Sequence, residues 1–254
     1  PVKLTVCMVS AQPALAISAV RHALDNASGE IDVAVFGNGW TSAMAREFET
    51  DVLISSEKLG DFSLEIVEEN GLVSAGFHAL YLAVRGQAER DGVSAHDDIL
   101  VYIHDDVDIL EKGWDVRVRK RFLAGPDIGL AGFACALGLG EDAIYKAPYE
   151  LRHVGRHTFG SNMVGAPQHG FVTTEDREAA SPDGFSMIIR RTLLDKIGGW
   201  SWFPFLHHVY DYAIACQARR HGYRCWLIPV YVEHHGGKTA CGPIHQETAK
   251  KYGG

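Results

Sequence analysis

The sequence contains no long uninterrupted apolar run and no recognisable export signal. No apolar stretch approaches the roughly 18 residues that cross a bilayer as a helix, and residues 1–6 lack the basic and apolar regions of a signal peptide. We therefore expect no membrane span and a cytoplasmic protein.

An excess of basic charge and paired cysteines are also lacking. The chain has 24 Lys and Arg residues against 32 Asp and Glu residues, so it carries no broad basic field that would hold a nucleic acid. An acidic protein can still bind a nucleoside diphosphate when a divalent cation supplies the local positive charge.

The absence of a C-x-x-C pair argues against a structural zinc site and a disulfide framework, and it predicts reduced, mostly buried thiols at Cys7, Cys135, Cys216, Cys225 and Cys241.

The sequence does contain the alternating strand and helix signals that are typical of an α/β protein. Its 254 residues, 46% of them hydrophobic, suffice for a sizeable core, and we expect one domain. Apolar, β-rich runs predict strands at 4–9, 31–36, 51–54, 99–103, 185–189, 225–228 and 230–233. Helical spacing predicts helices at 14–24, 41–48, 72–83, 114–123, 192–197 and 210–221. This order predicts a Rossmann-like, mixed and mainly parallel sheet flanked by helices.

Residues 141–180 show no clear hydrophobic period. A structureless connection of that length is uncommon in a compact domain unless it is functional. We therefore expect a loop-rich, partly mobile segment near a functional site.

The most informative motif is His104-Asp105-Asp106-Val107-Asp108, which directly follows the apolar strand predicted at 99–103. Ligands of open α/β sheets sit at the carboxyl ends of such strands. Adjacent carboxylates repel one another unless a cation offsets their charge, and Mg²⁺ and Mn²⁺ often bind through one or two carboxylates and a substrate diphosphate. The motif predicts a divalent-cation site. The alternative is a solvated turn in which Asp108 caps the helix that follows.

Several weaker motifs follow in a fixed order in the second half of the chain. They are PDGFSMIIRR at 182–191, IGGW at 197–200, Asp211 at the start of a predicted helix, RRHGYR at 219–224 and VEHHGG at 232–237. Together with the strand that ends in the acidic motif, this series closely resembles the inverting glycosyltransferases of family 2. The resemblance covers residues 4–237 and implies a single GT-A catalytic domain over 1–254, with a nucleotide-binding half at 1–110 and an acceptor and metal half at 111–254.

The resemblance also implies roles for individual residues. Asp211 corresponds to the catalytic base. Three residues correspond to metal ligands, with Asp108 as a second or water-mediated one: Asp106, Asp108 and His234. Four residues correspond to positions that contact the donor, with Asp105 near the ribose: Ser10, Asn38, Asp105 and Asp183. The implied cofactor is Mn²⁺ or Mg²⁺, the implied donor is a nucleoside-diphosphate sugar such as a UDP-sugar, and the acceptor is a hydroxyl of a glycan, lipid or protein.

Two positions depart from the family pattern. The second strand ends in Asn38 where the family commonly has an aspartate, so recognition of the base passes to an amide. His104 stands where many members have the first aspartate of the metal motif. Either Asp105-Asp106 or Asp106-x-Asp108 is therefore the working pair.

Other interpretations compete with these roles. His234 and His235 are also explained as strand-end histidines bonded to the backbone, and Asp211 as a carboxylate favoured by the helix dipole. His207-His208 faces the site or forms a polar loop, and the aromatic residues Trp200, Trp202, Phe203 and Phe205 form either an acceptor wall or core. For the whole chain, the rivals are a non-catalytic nucleotide-sugar or glycan-binding module and a metal-dependent phosphohydrolase.

Overall fold

A computed structural model of the chain describes residues 2–54, 56–69, 73–90, 98–137, 159–165, 171–202 and 210–236. Six helices lie within these ranges: α1 (Pro13–Asn26), α2 (Ser42–Leu53), α3 (Val73–Arg90), α4 (Trp114–Leu123), α5 (Arg191–Ile197) and α6 (Tyr210–Arg220). The strands of the first half are β1 (Leu4–Ser10), β2 (Ile31–Asn38), β3 (Leu59–Val67), β4 (Ile99–His104), β5 (Val107–Ile109), β6 (Ile128–Gly132) and β7 (Ala134–Ala136). Those of the second half are β8 (Phe159–Gly165), β9 (Phe171–Val172), β10 (Arg177–Ala179), β11 (Ser181–Pro182), β12 (Ser186–Arg190), β13 (Arg224–Leu227) and β14 (Tyr231–His234).

Eight of the described strands form the central sheet, in the order β10-β13-β6-β12-β4-β1-β2-β3. Strands β4, β1, β2 and β3 pair in parallel, and so do β6 and β13. Strand β12 is antiparallel to both of its neighbours, and β10 is antiparallel to β13. The fold is therefore α/β with a mixed, mainly parallel sheet, as predicted.

A second, smaller sheet has the order β11-β7-β8-β14-β5, with β9 on the edge of β8. In it, β14 runs antiparallel to β5 and places His234 opposite Val107. Its other neighbour is β8, with which it pairs in parallel. Because β5 comes three residues after β4, this pairing brings the end of β14 to the carboxyl end of the central strand β4.

Two hydrophobic clusters cover the two faces of the central sheet. Alternate residues of one strand belong to different clusters, since Val101 packs with one and Tyr102 with the other, and both are buried. One cluster includes the buried faces of α1, α2 and α4, and the other those of α3, α5 and α6. A strand buried on both faces must be apolar throughout, which explains the uninterrupted run that precedes the acidic motif.

Local signals explain where several helices begin and end. Helix α1 has Pro13 in its first turn, where a missing N–H costs nothing. The Thr41 hydroxyl caps α2 by accepting a hydrogen bond from the Met44 N–H at 3.3 Å. Helix α5 ends at Gly198 with a φ of 76°, a left-handed conformation that favours glycine.

The strand predicted at 51–54 is wrong. Residues 51–53 are the last residues of α2, and the third strand is instead Leu59–Val67. The helix continues because Ala45, Phe48 and Val52 recur at helical spacing and all three are buried.

The structure also differs from two other expectations. Asp108 does not cap α4, because it lies in β5 and Gly113 occupies the N-cap position. The expected loop-rich segment 141–180 contains β8, β9 and β10, while residues 141–158 and 166–170 lie outside the described part of the chain.

Three cysteines, Cys7, Cys135 and Cys225, are buried and Cys216 is exposed, and none of these four forms a disulfide. Cys241 lies outside the described residues. Across the part of the chain that the structure describes, no helix has the length and apolar character needed to cross a membrane.

Candidate metal and nucleotide site

The site lies where β1 and β4 end. These parallel neighbours place Val9 opposite His104, so Ser10 and Asp105 follow at the same edge of the sheet. The Ser10 hydroxyl donates a hydrogen bond to Oδ2 of Asp105 at 2.6 Å. The acidic motif therefore faces the crevice at the carboxyl end of the parallel strands, where α/β proteins bind ligands.

Asp105 is a perturbed carboxyl group. Burial raises its pKa to about 6, against the opposing effect of the Ser10 hydrogen bond and with a further increase from the charge of Asp106. A carboxyl group that titrates near neutrality can both accept and donate hydrogen bonds, which suits contacts to neutral hydroxyl groups.

His104, Asp106 and His234 form one cluster. Each offers a ligand atom, and these three atoms lie within 4.8 Å of one another. Oδ1 of Asp106 lies 3.5 Å from Nε2 of His234 and 3.9 Å from Nδ1 of His104. Ligand atoms about 2.1 Å from one ion lie roughly 3.0 to 3.5 Å apart, so a small contraction would let the three groups share a cation.

Two segments that are far apart in the sequence build this cluster. His104 and Asp106 come from the β4–β5 turn, and His234 arrives because β14 pairs with β5. The backbone N–H of His235 donates to the carbonyl oxygen of Asp106 at 2.9 Å, which fixes the end of β14 against the turn. The Phe185 ring stacks on the His234 ring with centroids 4.5 Å apart and so sets its orientation.

The electrostatics around Asp106 favour a cation. Burial acts to raise the pKa of Asp106, but the facing imidazoles of His234 and His104 outweigh it, so the pKa lies below its usual value. Its Oδ1 atom is buried, and among the described residues no donor satisfies it with good hydrogen-bond geometry. A buried carboxylate oxygen that lacks a hydrogen bond is costly, and an ion between it and the two imidazoles would satisfy it. The residues present therefore fit a divalent metal ion.

Asp108 is not part of this cluster. Its Oδ1 lies 2.9 Å from Nδ1 of His22 and 3.3 Å from the Ser18 hydroxyl, both on α1. Its Oδ2 lies 2.9 Å from Nε2 of His235, and this hydrogen bond raises the pKa of His235. The geometry thus assigns Asp108 to a second group, which joins α1 to the end of β14.

Tyr210, which the sequence did not single out, joins the site through His104. Its hydroxyl lies 3.0 Å from Nε2 of His104, on the opposite side of the imidazole from the atom that faces Asp106. Gly184 makes room for this hydroxyl, since a Cβ atom there would lie 2.8 Å from it. The glycine of the PDGF motif is a signal that another group packs closely against residue 184, but the sequence does not show that this group is Tyr210.

Three further predicted residues, Asp183, Asp211 and Asn38, lie in the described part of the chain. Asp183 accepts a hydrogen bond from the Phe185 N–H at 3.3 Å, beside the ring that supports His234. Asp211 is 5% exposed in the first turn of α6, and its Oδ1 accepts from the Tyr212 N–H at 2.9 Å. Asn38 is buried at the end of β2. His207, His208, Phe203 and Phe205 lie outside the described residues.

No protein-family model and no curated protein sequence matches the chain. Solved structures do match it. The Pyrobaculum calidifontis mannosyltransferase PcManGT, in complex with GDP-Man and Mn²⁺, superposes with a TM-score of 0.57 at 15% identity over 93% of this chain and 57% of that one. GalNAc-T7 with UDP, GalNAc and Mn²⁺ superposes with a TM-score of 0.59 at 12% identity, over 92% of this chain and 44% of that one. The S. aureus protein TarS, residues 1–349, superposes with a TM-score of 0.57 at 13% identity, over 91% of this chain and 60% of that one.

The chain has the GT-A fold. These three matches are glycosyltransferases of that fold, and the chain spans between 44% and 60% of their lengths. At such low identity the likeness establishes the architecture of the GT-A domain alone. The more specific resemblance to family 2 stays a prediction.

Proposed function

We propose that the chain is a metal-dependent glycosyltransferase that moves a sugar from a nucleoside-diphosphate sugar, with UDP as the nucleotide, to an acceptor hydroxyl with inversion. The observation that carries the proposal is the His104–Asp106–His234 cluster at the carboxyl edge of a GT-A sheet. Two of the matched GT-A structures are named with a nucleotide or nucleotide sugar and Mn²⁺, which supports the same chemistry here.

Asp106 and His234 are the proposed ligands of the divalent ion. A bound ion would stabilise the diphosphate leaving group as a Lewis acid. The β14–β5 pairing and the Phe185 ring hold the side chains of Asp106 and His234 close together. In an acidic protein, such an ion supplies the local positive charge that a diphosphate requires.

The residues at the ends of β1, β2 and β4 are the proposed donor site. Asp105, kept by burial at a pKa of about 6 and held by Ser10, would bond to the ribose hydroxyls. Asn38, buried where β2 ends, would contact the base, and Asp183 would lie beside the sugar. The parallel strands β1, β2 and β4 bring Ser10, Asn38 and Asp105 to a common edge, which supports a single extended nucleotide site.

Asp211 is the proposed base that removes the acceptor proton. It lies in the first turn of α6, directly after Tyr210, whose hydroxyl contacts His104 of the cluster. An inverting transfer needs a carboxylate separate from the ligands of the ion, because the base must act on the acceptor while the ion acts on the leaving group.

A thermal-shift screen of UDP, GDP and their sugars tests the donor site, with Mn²⁺ or with excess EDTA in each well. A ligand specific to the native state raises its stability by mass action, so we expect a shift only where nucleotide and ion are both present. Equal shifts with EDTA would overturn metal-dependent donor binding. Transfer is then assayed with the donor that binds. Hydrolysis of its diphosphate bond to a nucleoside monophosphate and a sugar 1-phosphate, without sugar transfer, would instead favour a phosphohydrolase.

A further inference from the structure

The cluster is unusually rich in nitrogen for a site that holds a diphosphate-bound ion. Two of its three side chains are imidazoles and one is a carboxylate. Magnesium prefers oxygen ligands and keeps several of its waters, whereas imidazole nitrogen suits the later divalent transition ions such as Fe²⁺, Ni²⁺ and Zn²⁺, with Mn²⁺ the weakest binder of that series. The donor set therefore bears on which ion the site selects.

The hydrogen bond to Tyr210 involves Nε2 of His104, so the other ring nitrogen is the one that faces Asp106. Nε2 lies 3.0 Å from the Tyr210 hydroxyl, while Nδ1 faces Oδ1 of Asp106 at 3.9 Å. When Nε2 carries the proton and donates it to the tyrosine oxygen, the lone pair of Nδ1 points toward Asp106. Histidines that bind metals usually have their second nitrogen held by such a partner, which fixes both the tautomer and the ring.

The Tyr210 ring is itself firmly placed. It packs edge-on against Phe77 with ring centroids 5.5 Å apart and is 7% exposed. The absence of a side chain at Gly184 leaves the space that its hydroxyl occupies. Residues of α3 and of the β11–β12 turn thus fix the Tyr210 side chain of α6, and Tyr210 in turn holds His104. A solvated turn would not need its histidine to be held in this way.

We propose that His104 is the third protein ligand of the ion, through Nδ1, that Tyr210 positions it, and that the resulting two-histidine, one-carboxylate set selects divalent transition ions over magnesium. Three ligands from the described residues would not complete the coordination shell of such an ion, and diphosphate oxygens and water would supply further ligands. The inference deepens the proposed function by naming the class of ion, and it rests on that function only for the role of the diphosphate.

Titration calorimetry of the full chain with MnCl₂, CoCl₂ and MgCl₂, without nucleotide, tests the selectivity. We expect binding of Mn²⁺ and tighter binding of Co²⁺, in the order that nitrogen-containing sites follow, and much weaker binding of Mg²⁺. His104→Asp replaces the imidazole by an oxygen ligand, so the ratio of the Mg²⁺ and Mn²⁺ dissociation constants should fall by about tenfold to a hundredfold, the scale of losing support at a metal ligand.

Tyr210→Phe tests the positioning separately. It keeps the ring packed against Phe77 and removes only the hydroxyl, so Mn²⁺ affinity should fall by about tenfold to a hundredfold while the circular dichroism spectrum is unchanged. Tyr231→Phe is the matched control, because Tyr231 is 39% exposed and lies outside the cluster. His22→Gln is the control for His104, since His22 contacts Asp108 rather than Asp106.

Equal affinities of the wild-type protein for Mg²⁺ and Mn²⁺ would overturn the inference, and so would an unchanged ratio in His104→Asp. Wild-type Mn²⁺ affinity in Tyr210→Phe would remove the positioning role. The proposed function fails differently: selective ion binding without any effect of nucleotide sugars would contradict it and leave the ion site standing. Donor binding that is equally strong with Mg²⁺ and with Mn²⁺ would support the proposed function and contradict the ion selectivity.

Discussion

Asp106 and Asp108, two positions apart in the sequence, direct their carboxylates at different histidines. Asp106 approaches His234 at 3.5 Å, and Asp108 bonds to His235 at 2.9 Å. The D-x-D spacing suggested one shared ion, but the strand β5 and the paired β14 place the two carboxylates in separate groups. This separation yields the first prediction.

Asp106→Asn should abolish metal-dependent nucleotide binding, whereas Asp108→Asn should leave the Mn²⁺ affinity within about twofold, because only the first removes a charge from the cluster. Calorimetry with Mn²⁺ and UDP measures both variants. If Asp108→Asn loses the ion and Asp106→Asn keeps it, the ligand assignment is reversed.

Asp211→Asn should reduce turnover by about a hundredfold to ten-thousandfold, the usual contribution of a general base, with donor affinity unchanged. The amide oxygen of asparagine can still accept the hydrogen bond that the Tyr212 N–H donates at 2.9 Å, so the first turn of α6 should persist. Single-turnover transfer rates and calorimetric donor affinity separate the two effects. Near-normal transfer would exclude Asp211 as the base, and lost donor affinity would move it into the donor site.

The adjacent glycines Gly198 and Gly199 should respond differently to alanine. Both have left-handed φ values, 76° and 67°, where an alanine costs about 1 to 2 kcal/mol. A Cβ atom at Gly198 meets little, but one at Gly199 would lie 2.5 Å from the Tyr81 ring. Gly199→Ala should therefore lose a further ~1 to 3 kcal/mol of unfolding free energy through overpacking. Urea denaturation of the two variants compares them, and equal losses would show that the contact with Tyr81 relaxes freely.

Asp32→Asn should stabilise the protein at neutral pH. Burial raises the pKa of Asp32 above 3.8 in spite of the hydrogen bond from the Asp61 N–H and the charge of Lys3. The folded state then holds a proton that the unfolded state has lost, so the free energy of unfolding falls as pH rises from 3.8 through the folded pKa. Asparagine keeps the acceptor for Asp61 and carries no charge.

Thermal melts of Asp32→Asn and wild type from pH 3 to 8 measure this effect. The difference in melting temperature should grow with pH across that window and vanish at its acidic end. Asp25→Asn is the control, because Asp25 is exposed. A wild-type protein that stays the more stable one at pH 7 would mean that the contact with Lys3 outweighs burial.

Local signals in the sequence predicted most of the fold. The bounds of α4 are those given by its helical spacing, and the run at 99–103 became β4 because both faces of that strand are buried. The strand at 51–54 failed because a short apolar stretch fits the end of a helix as well as a strand, and burial of Val52 on the α2 face decided between them. The described part of 141–180 gave no clear strand signal because two of its three strands, β9 and β10, have only 2 and 3 residues.

The site was harder to predict than the fold. Asp106 and His234 were proposed together only through resemblance, since nothing local to either residue reports the pairing of β5 with β14. Asp108 looked equivalent to Asp106 in sequence, and only the positions of His22 and His235 distinguish them. Tyr210 carried no signal at all, because its contact with His104 joins residues 106 positions apart.

The site stays assembled only while β14 remains paired with β5, the edge strand of the small sheet. His235 and Asp108 are 127 residues apart along the chain, and β14 contributes nothing to the central eight-stranded sheet. A fluctuation that detaches β14 would remove His234 from Asp106 while leaving the main sheet intact. Amide hydrogen exchange along β14 and the occupancy of the site are therefore thermodynamically linked: whatever binds across Asp106 and His234 must slow the exchange of that strand, and whatever frees the strand must weaken binding.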